Sequence, residues 1–149
     1  MKFVIQRVTE ASVKVDGEII GEIGKGLLVL VGVSGTDTQQ IADKMIDKLT
    51  KLRIFDDADG KTNLSISDVQ GEFLIISQFT LYANCKKGNR PSFIDAGKPD
   101  MANALYEYVI SSLETKGFQT QHGSFGADMK VSLLNDGPFT IVLDSAEIL

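Results

Sequence analysis

The segment Gly26-Leu27-Leu28-Val29-Leu30-Val31-Gly32-Val33 is apolar at even and odd positions alike. Successive side chains of a strand point to opposite faces. A run without alternation is therefore covered on both faces, and it is predicted to be a central strand of a layered fold. A second run, Glu72-Phe73-Leu74-Ile75-Ile76, starts the same way and turns polar at Ser77. Neither approaches the roughly 20 apolar residues of a membrane span, so no membrane contact is expected. The first residues, Met1 to Val8, read as a strand and not as a signal peptide. At 149 residues, with 43% apolar and 23% charged positions, the chain is expected to form one globular domain over 1–149. A single cysteine, Cys85, excludes an internal disulfide framework, and the cytosol is the expected compartment.

Around these two runs the remaining elements follow in order. Phe3 and Ile5 share one face of the first strand, with Val4 and Val8 on the other. Arg7 has the parity of Phe3 and Ile5, and an inward Arg needs partners. Residues 12–15 and 18–23 form a hairpin around the turn pair Asp16-Gly17. Thr36-Asp37-Thr38 supplies N-cap candidates for a helix with Ile41, Met45, Leu49 and Leu52 on its apolar face. Arg53-Ile54-Phe55 is a short strand, and residues 65–71 are loop or short edge structure. A loop of about fifteen residues, 84–98, is long enough to suspect a function. A second helix starts at Pro99 and stops at Gly117, with Ala102, Leu105, Val109 and Leu113 on its apolar face. Residues 118–121 form a short strand. Residues 129–134 and 139–143 form two last strands flanking Gly137-Pro138, with hairpins expected at both ends of the chain. A Pro there lies at a turn, an edge or a bulge, because it donates no ladder hydrogen bond. The fold class is α/β: a mixed, mostly antiparallel, layered β/β/α arrangement with two main helices.

Several chemistries are poorly served. One His and one Cys give no transition-metal donor set, and no metal or other cofactor is expected. Asp56-Asp57-Ala58-Asp59-Gly60 fails the spacing of a calcium loop and reads as a solvated turn. The glycines form neither a phosphate loop nor a dinucleotide fingerprint. His122, the only histidine, lies in a Gly-rich turn and is a poor candidate for a triad base. Hydroxyls remain, at Ser77 and Thr80, where a buried strand turns polar. The net charge is −5, so any nucleic-acid contact needs a local basic patch. Lys86, Lys87 and Arg90 in the long loop supply one.

Three segments, Ser77-Gln78-Phe79-Thr80-Leu81, Lys87-Gly88-Asn89-Arg90-Pro91-Ser92-Phe93 and Asn135-Asp136-Gly137-Pro138-Phe139-Thr140, together resemble the D-aminoacyl-tRNA deacylase family in its bacterial form. The likeness runs end to end and includes Arg7, Asp16-Gly17, Arg53-Ile54-Phe55, Asn63-Leu64-Ser65, Leu105-Tyr106 and Gly123 to Met129. Phe139 departs from it, standing where a Val is expected. The resemblance implies hydrolysis of the ester that joins a D-amino acid to the terminal adenosine of tRNA, and of glycine mischarged on alanine tRNA. It implies a homodimer in which a cis Gly137-Pro138 step enters the partner's site and meets Ser77, Gln78, Phe79 and Thr80. It assigns Arg7 to holding that step and Phe125 and Met129 to the adenosine pocket. Lys86, Lys87 and Arg90 are the candidates for the tRNA acceptor end.

Two mechanisms fit these residues. Thr80 is the nucleophile or orients the water, or else the 2′-hydroxyl of the terminal adenosine activates the water while backbone groups at Phe79 and Thr80 hold the oxyanion. The second is preferred, because no base neighbours Thr80 in the sequence and a bare hydroxyl is a poor nucleophile. Two other functions remain open: a non-catalytic tRNA- or nucleotide-binding module, and a hydrolase of small D-aminoacyl esters.

Overall fold

Strand β1 (Lys2–Val15) is long enough to serve two layers. The computed structural model describes residues 1–149. The first half of β1 pairs antiparallel with β3 (Gly26–Gly32), and its second half pairs with β2 (Glu18–Ile23). Asp16 and Gly17, both at positive φ, make the two-residue turn between β1 and β2. Beyond β3 the sheet continues in parallel through β6 (Glu72–Ser77) to β7 (Thr120–His122). Helix α1 (Gln39–Lys51) lies in the connection from β3 to β6, and α2 (Pro99–Thr115) in that from β6 to β7. A small antiparallel pair, β4 (Phe55–Asp56) and β5 (Thr62–Leu64), completes the connection after α1. The expected mixed, mostly antiparallel β/β/α arrangement is the one found.

The doubly apolar strands divide their side chains between two cores. Leu27, Val29 and Val31 of β3, and Phe73 and Ile75 of β6, join Phe3, Ile5 and both helices in the larger core. Leu28 of β3 and Leu74 and Ile76 of β6 face the other way, onto Val8, Ala11, Val13 and Ile23 of the β1–β2 hairpin. Each strand is thus covered on both faces, as its lack of alternation requires. Truncating such a side chain to Ala costs about 2–5 kcal/mol.

The helices follow their sequence signals. The Thr38 hydroxyl accepts from the Ile41 amide and caps α1, which buries Ala42, Met45, Ile46 and Leu49. Asp37 is no cap. Its buried carboxylate receives the Met1 ammonium at 2.6 Å and the Ser34 amide at 2.7 Å, fastening the start of β1 to the approach to α1. Pro99 opens α2, and Gly117 (φ +93°) ends it. A four-residue helix α3 (Ser145–Ile148), capped by Asp144, follows the last strand and has no counterpart among the expected elements.

The chain end corrects one expectation. No hairpin forms at Gly137-Pro138. Residues Lys130–Asp144 make one continuous strand, β8, antiparallel to β1 along its whole length. Val8 pairs with Asn135 and Gln6 with Thr140, so the four residues 136–139 stand opposite Arg7 alone. The Gly-Pro step is the centre of a wide bulge, which is where an edge strand tolerates a residue without an amide proton. β8 pairs only with β1, so its other side is a free edge.

Candidate active site

The polar end of β6 does not continue as a strand. The Gln78 amide donates to Val31 O at 2.8 Å, and Phe79–Tyr82 then turns as a short 3₁₀ helix. Strand parity therefore does not order Ser77 to Thr80. Gly32 explains why the turn fits there. A Cβ on Gly32 would lie 3.0 Å from Leu81 Cβ and 3.3 Å from Gln78 O. A side chain there would press the turn off the end of β3, and glycine leaves it room. The first amides of a helical turn have no acceptor within it, so those of Phe79 and Thr80 have none inside this one. The Gln78 side-chain amide donates to the Thr80 hydroxyl. No His, Asp or Glu hydrogen-bonds either Ser77 or Thr80.

Ser77, Gln78 and Phe79 form one wall of a cleft of about 700 Å³. Phe125 and Met129 stand on another wall, with Tyr106 of α2 beside Phe125 and also lining the cleft. The cleft is mostly apolar, with 12 hydrophobic residues among 19, and such a cavity suits a flat, stackable group with a few polar anchors. Thr80 is exposed just outside it. His122 does not line it. Its Nδ1 lies 2.7 Å from Gly123 O instead. No three His, Cys, Asp or Glu side chains converge anywhere in the chain.

The long loop is anchored beside this cleft. Asn84 and Ser92 exchange both backbone hydrogen bonds, at 2.7 and 2.9 Å, closing residues 85–91 into a projecting tip. The Phe93 ring meets that of Phe79 edge to face, at 5.1 Å between centroids. Lys86, Lys87 and Arg90 are exposed on the tip. The returning limb of the loop brings Phe93, Gly97 and Lys98 to the cleft. In the sequence Phe93 stood out only as the end of the family-like segment 87–93, and Lys98 only as the last residue of the long loop. Their place in the cleft depends on the Asn84–Ser92 pairing, which leaves no sequence periodicity.

Arg7 and the bulge form a second centre. Arg7 is 7% exposed. Its Nε–H donates to Asp136 O at 2.9 Å, and its Nη1 donates to Ile54 O at 2.8 Å. Its guanidinium carbon lies 4.8 Å from the Phe139 ring centroid, a cation–π contact. Asp56 and Asp136 balance its charge at 3.6 and 3.7 Å. The inward Arg thus has the partners that its burial demands. Asn135 closes the bulge from the other side. Its Oδ1 accepts from the Phe139 amide at 2.8 Å, and its Nδ2 donates to Thr140 Oγ1 at 2.9 Å. The Gly137-Pro138 peptide is cis. Gly137 has φ +132°, and a Cβ there would come within 2.8 Å of Arg7 Nη2. Both residues of the step are exposed and do not line this chain's own cleft. The Phe139 ring supplies the face on which Arg7 rests.

Known proteins resemble this chain over nearly its whole length. The family model described as D-Tyr-tRNA(Tyr) deacylase matches residues 4–144. A D-aminoacyl-tRNA deacylase of Lactobacillus acidophilus is 58% identical over 97% of this chain and 99% of its own. That of Fusobacterium nucleatum is 56% identical over 99% and 97%. A solved structure named c-Myc DNA Unwinding Element Binding Protein superposes with a TM-score of 0.91 at 43% identity, over 97% of this chain and 98% of its own. A family model matched over residues 4–144, with relatives more than half identical along nearly the full length of both chains, shows that the chain belongs to the D-aminoacyl-tRNA deacylase family.

Proposed function

We propose that this protein hydrolyses the ester of D-aminoacyl-tRNA, releasing tRNA and the free D-amino acid, and that it acts the same way on glycine mischarged on alanine tRNA. The observation that carries this reading is the pairing of an apolar cleft, bordered by Ser77 to Thr80, with a rigid exposed Gly137-Pro138 bulge on a free strand edge. The bulge is not part of its own chain's cleft, and in this reading it serves a second copy. The working unit is a homodimer in which Gly137 and Pro138 of one chain meet residues 77–80 of the other. The free edge and the exposed apolar side chains of β8, with Leu134 57% and Val142 62% exposed, support this arrangement.

An aminoacyl ester is already activated relative to an amide, so positioning, an oxyanion partner and a water suffice. Phe125 and Met129 hold the terminal adenosine, the aromatic ring stacking on the base. The amides of Phe79 and Thr80 take the charge that develops on the carbonyl oxygen. The water attacks the carbonyl carbon, assisted by the free 2′-hydroxyl of the same ribose. The ester C–O bond then breaks, and its oxygen leaves protonated on the tRNA. Carbonyls of the Gly137-Pro138 step face the α-carbon. They collide with an L side chain and leave a D side chain free toward solvent. Glycine has no side chain to exclude. Rejection by backbone is blind to side-chain identity. Lys86, Lys87 and Arg90 attract the acceptor end, and so small a patch gives a shallow salt dependence.

The test is ester loss from matched D- and L-aminoacyl-tRNA and from a free D-aminoacyl ester. The D-aminoacyl-tRNA should be consumed and the L form spared, with the free ester nearly inert. Binding without ester loss would make the protein a tRNA-binding module. Rapid loss of the free ester would make it a small-ester hydrolase. Replacing the terminal adenosine by its 2′-deoxy form should slow hydrolysis at least about 100-fold, the usual scale of a general acid–base contribution.

A further inference from the structure

Tyr106 is a buried phenol with no part in the chemistry above. Burial pushes its pKa well above the ordinary phenol value, so it stays neutral. Its hydroxyl lies 2.8 Å from Ile75 O and 3.4 Å from Gly123 O. One proton serves chiefly the nearer carbonyl, and the hydroxyl is left between two elements that diverge from this point. Ile75 belongs to β6 and stands two residues before Ser77. Gly123 follows β7 and begins the segment that carries Phe125 and Met129. The Gly123 amide also donates to Ile75 O, at 3.0 Å. The hydroxyl and this amide therefore meet at one carbonyl, and α2, β6 and the 123–129 segment are tied at a single point.

Two further contacts give the tie a direction. The Tyr106 ring lies against Phe125, at 6.0 Å between centroids. A Cβ on Gly123 would collide with Met129 Sδ and come within 3.1 Å of Ile76 Cδ1. Met129 therefore reaches its place only because residue 123 has no side chain and is held close to β6. A core Tyr in this position needs no hydroxyl for packing alone, since Phe has the same ring.

We propose that Tyr106 is a positioning residue for the cleft: its hydroxyl, fixed between Ile75 O and Gly123 O, sets the distance between the Ser77–Phe79 wall and the Phe125–Met129 wall. It acts on substrate affinity and not on the ester carbon. The inference rests on the reading that Phe125 and Met129 receive the terminal adenosine.

The experiment is a substrate titration with D-aminoacyl-tRNA on the full chain and on the variants Tyr106→Phe, Gly123→Ala and Phe125→Ala, with denaturation midpoints recorded alongside. Losing one buried hydrogen bond, about 1 kcal/mol, corresponds to about a fivefold rise in KM for Tyr106→Phe, with kcat little changed. Gly123→Ala, which displaces Met129 directly, should raise KM in the same direction, and so should Phe125→Ala. A raised KM in Phe125→Ala with wild-type KM in both Tyr106→Phe and Gly123→Ala overturns the positioning role and leaves the adenosine pocket standing. A wild-type KM in Phe125→Ala overturns the pocket reading itself, and the inference with it. A lowered midpoint with reduced kcat and unchanged KM in Tyr106→Phe marks a purely structural hydroxyl and also overturns it.

Discussion

Arg7 shows how much one side chain can be asked to do. It stands alone opposite four residues of β8 and fills the space they open, with donors aimed at carbonyls on two different segments. The planar guanidinium makes this possible, because its donors leave in fixed, divergent directions. A lysine has the charge and lacks the fork. Arg7→Lys should therefore leave one of the two carbonyls unpartnered, costing about 1–3 kcal/mol, and deacylation should fall with it. Denaturant melts together with D-aminoacyl-tRNA assays check both. Thr80 makes the opposite case. It is exposed, bonded to the Gln78 side chain, and has no base beside it. Thr80→Ala should keep substantial deacylation, with a loss within about tenfold, since no nucleophile is removed. A loss as complete as that from blocking the cleft would restore Thr80 as the nucleophile.

At the scale of elements, the apolar pattern carried most of the fold. The doubly covered β3 and β6, the capped α1 and the Pro-to-Gly span of α2 were all legible, because each has a local cause in the sequence. What escaped was set by tertiary pairing. Residues 1–8 and 12–15 read as two strands, yet they are one, because β8 runs alongside both halves. Residues 129–134 and 139–143 likewise merge into β8, since a Gly-Pro step breaks a ladder at a turn and at a bulge alike. The 3₁₀ turn after Ser77 depends on Gly32, which lies far away in sequence. Parity gave the inward direction of Arg7 and the family likeness its place at the Gly-Pro step, whereas the placement of Lys98 and Phe93 required the loop's own closure. Asp37 was read as a possible cap and is a buried ionic anchor. Asp37→Asn should strand the Met1 ammonium and cost about 3 kcal/mol, seen as a lower urea midpoint with unchanged slope. A variant as stable as the wild type would show that the pair contributes nothing net.

For the whole molecule, the account divides the work between two copies. In the proposed dimer each copy would contribute a cleft and, from β8, a bulge for its partner. Introducing charge on the free edge, as in Leu134→Glu with Val142→Glu, should yield monomers by sedimentation. Those monomers should lose D-aminoacyl-tRNA deacylation although the cleft is untouched. The central claim is that selectivity comes from a fixed backbone, and the most direct measurement is the ratio of D to L hydrolysis rates for the wild type and for Gly137→Ala on matched aminoacyl-tRNAs. A Cβ at position 137 would lie 2.8 Å from Arg7 Nη2, and Arg7 is held too firmly to yield, so the bulge must shift. We expect the ratio to fall by at least about tenfold, the equivalent of 1.4 kcal/mol, or deacylation to be lost altogether. An active Gly137→Ala enzyme with the wild-type ratio would contradict the account.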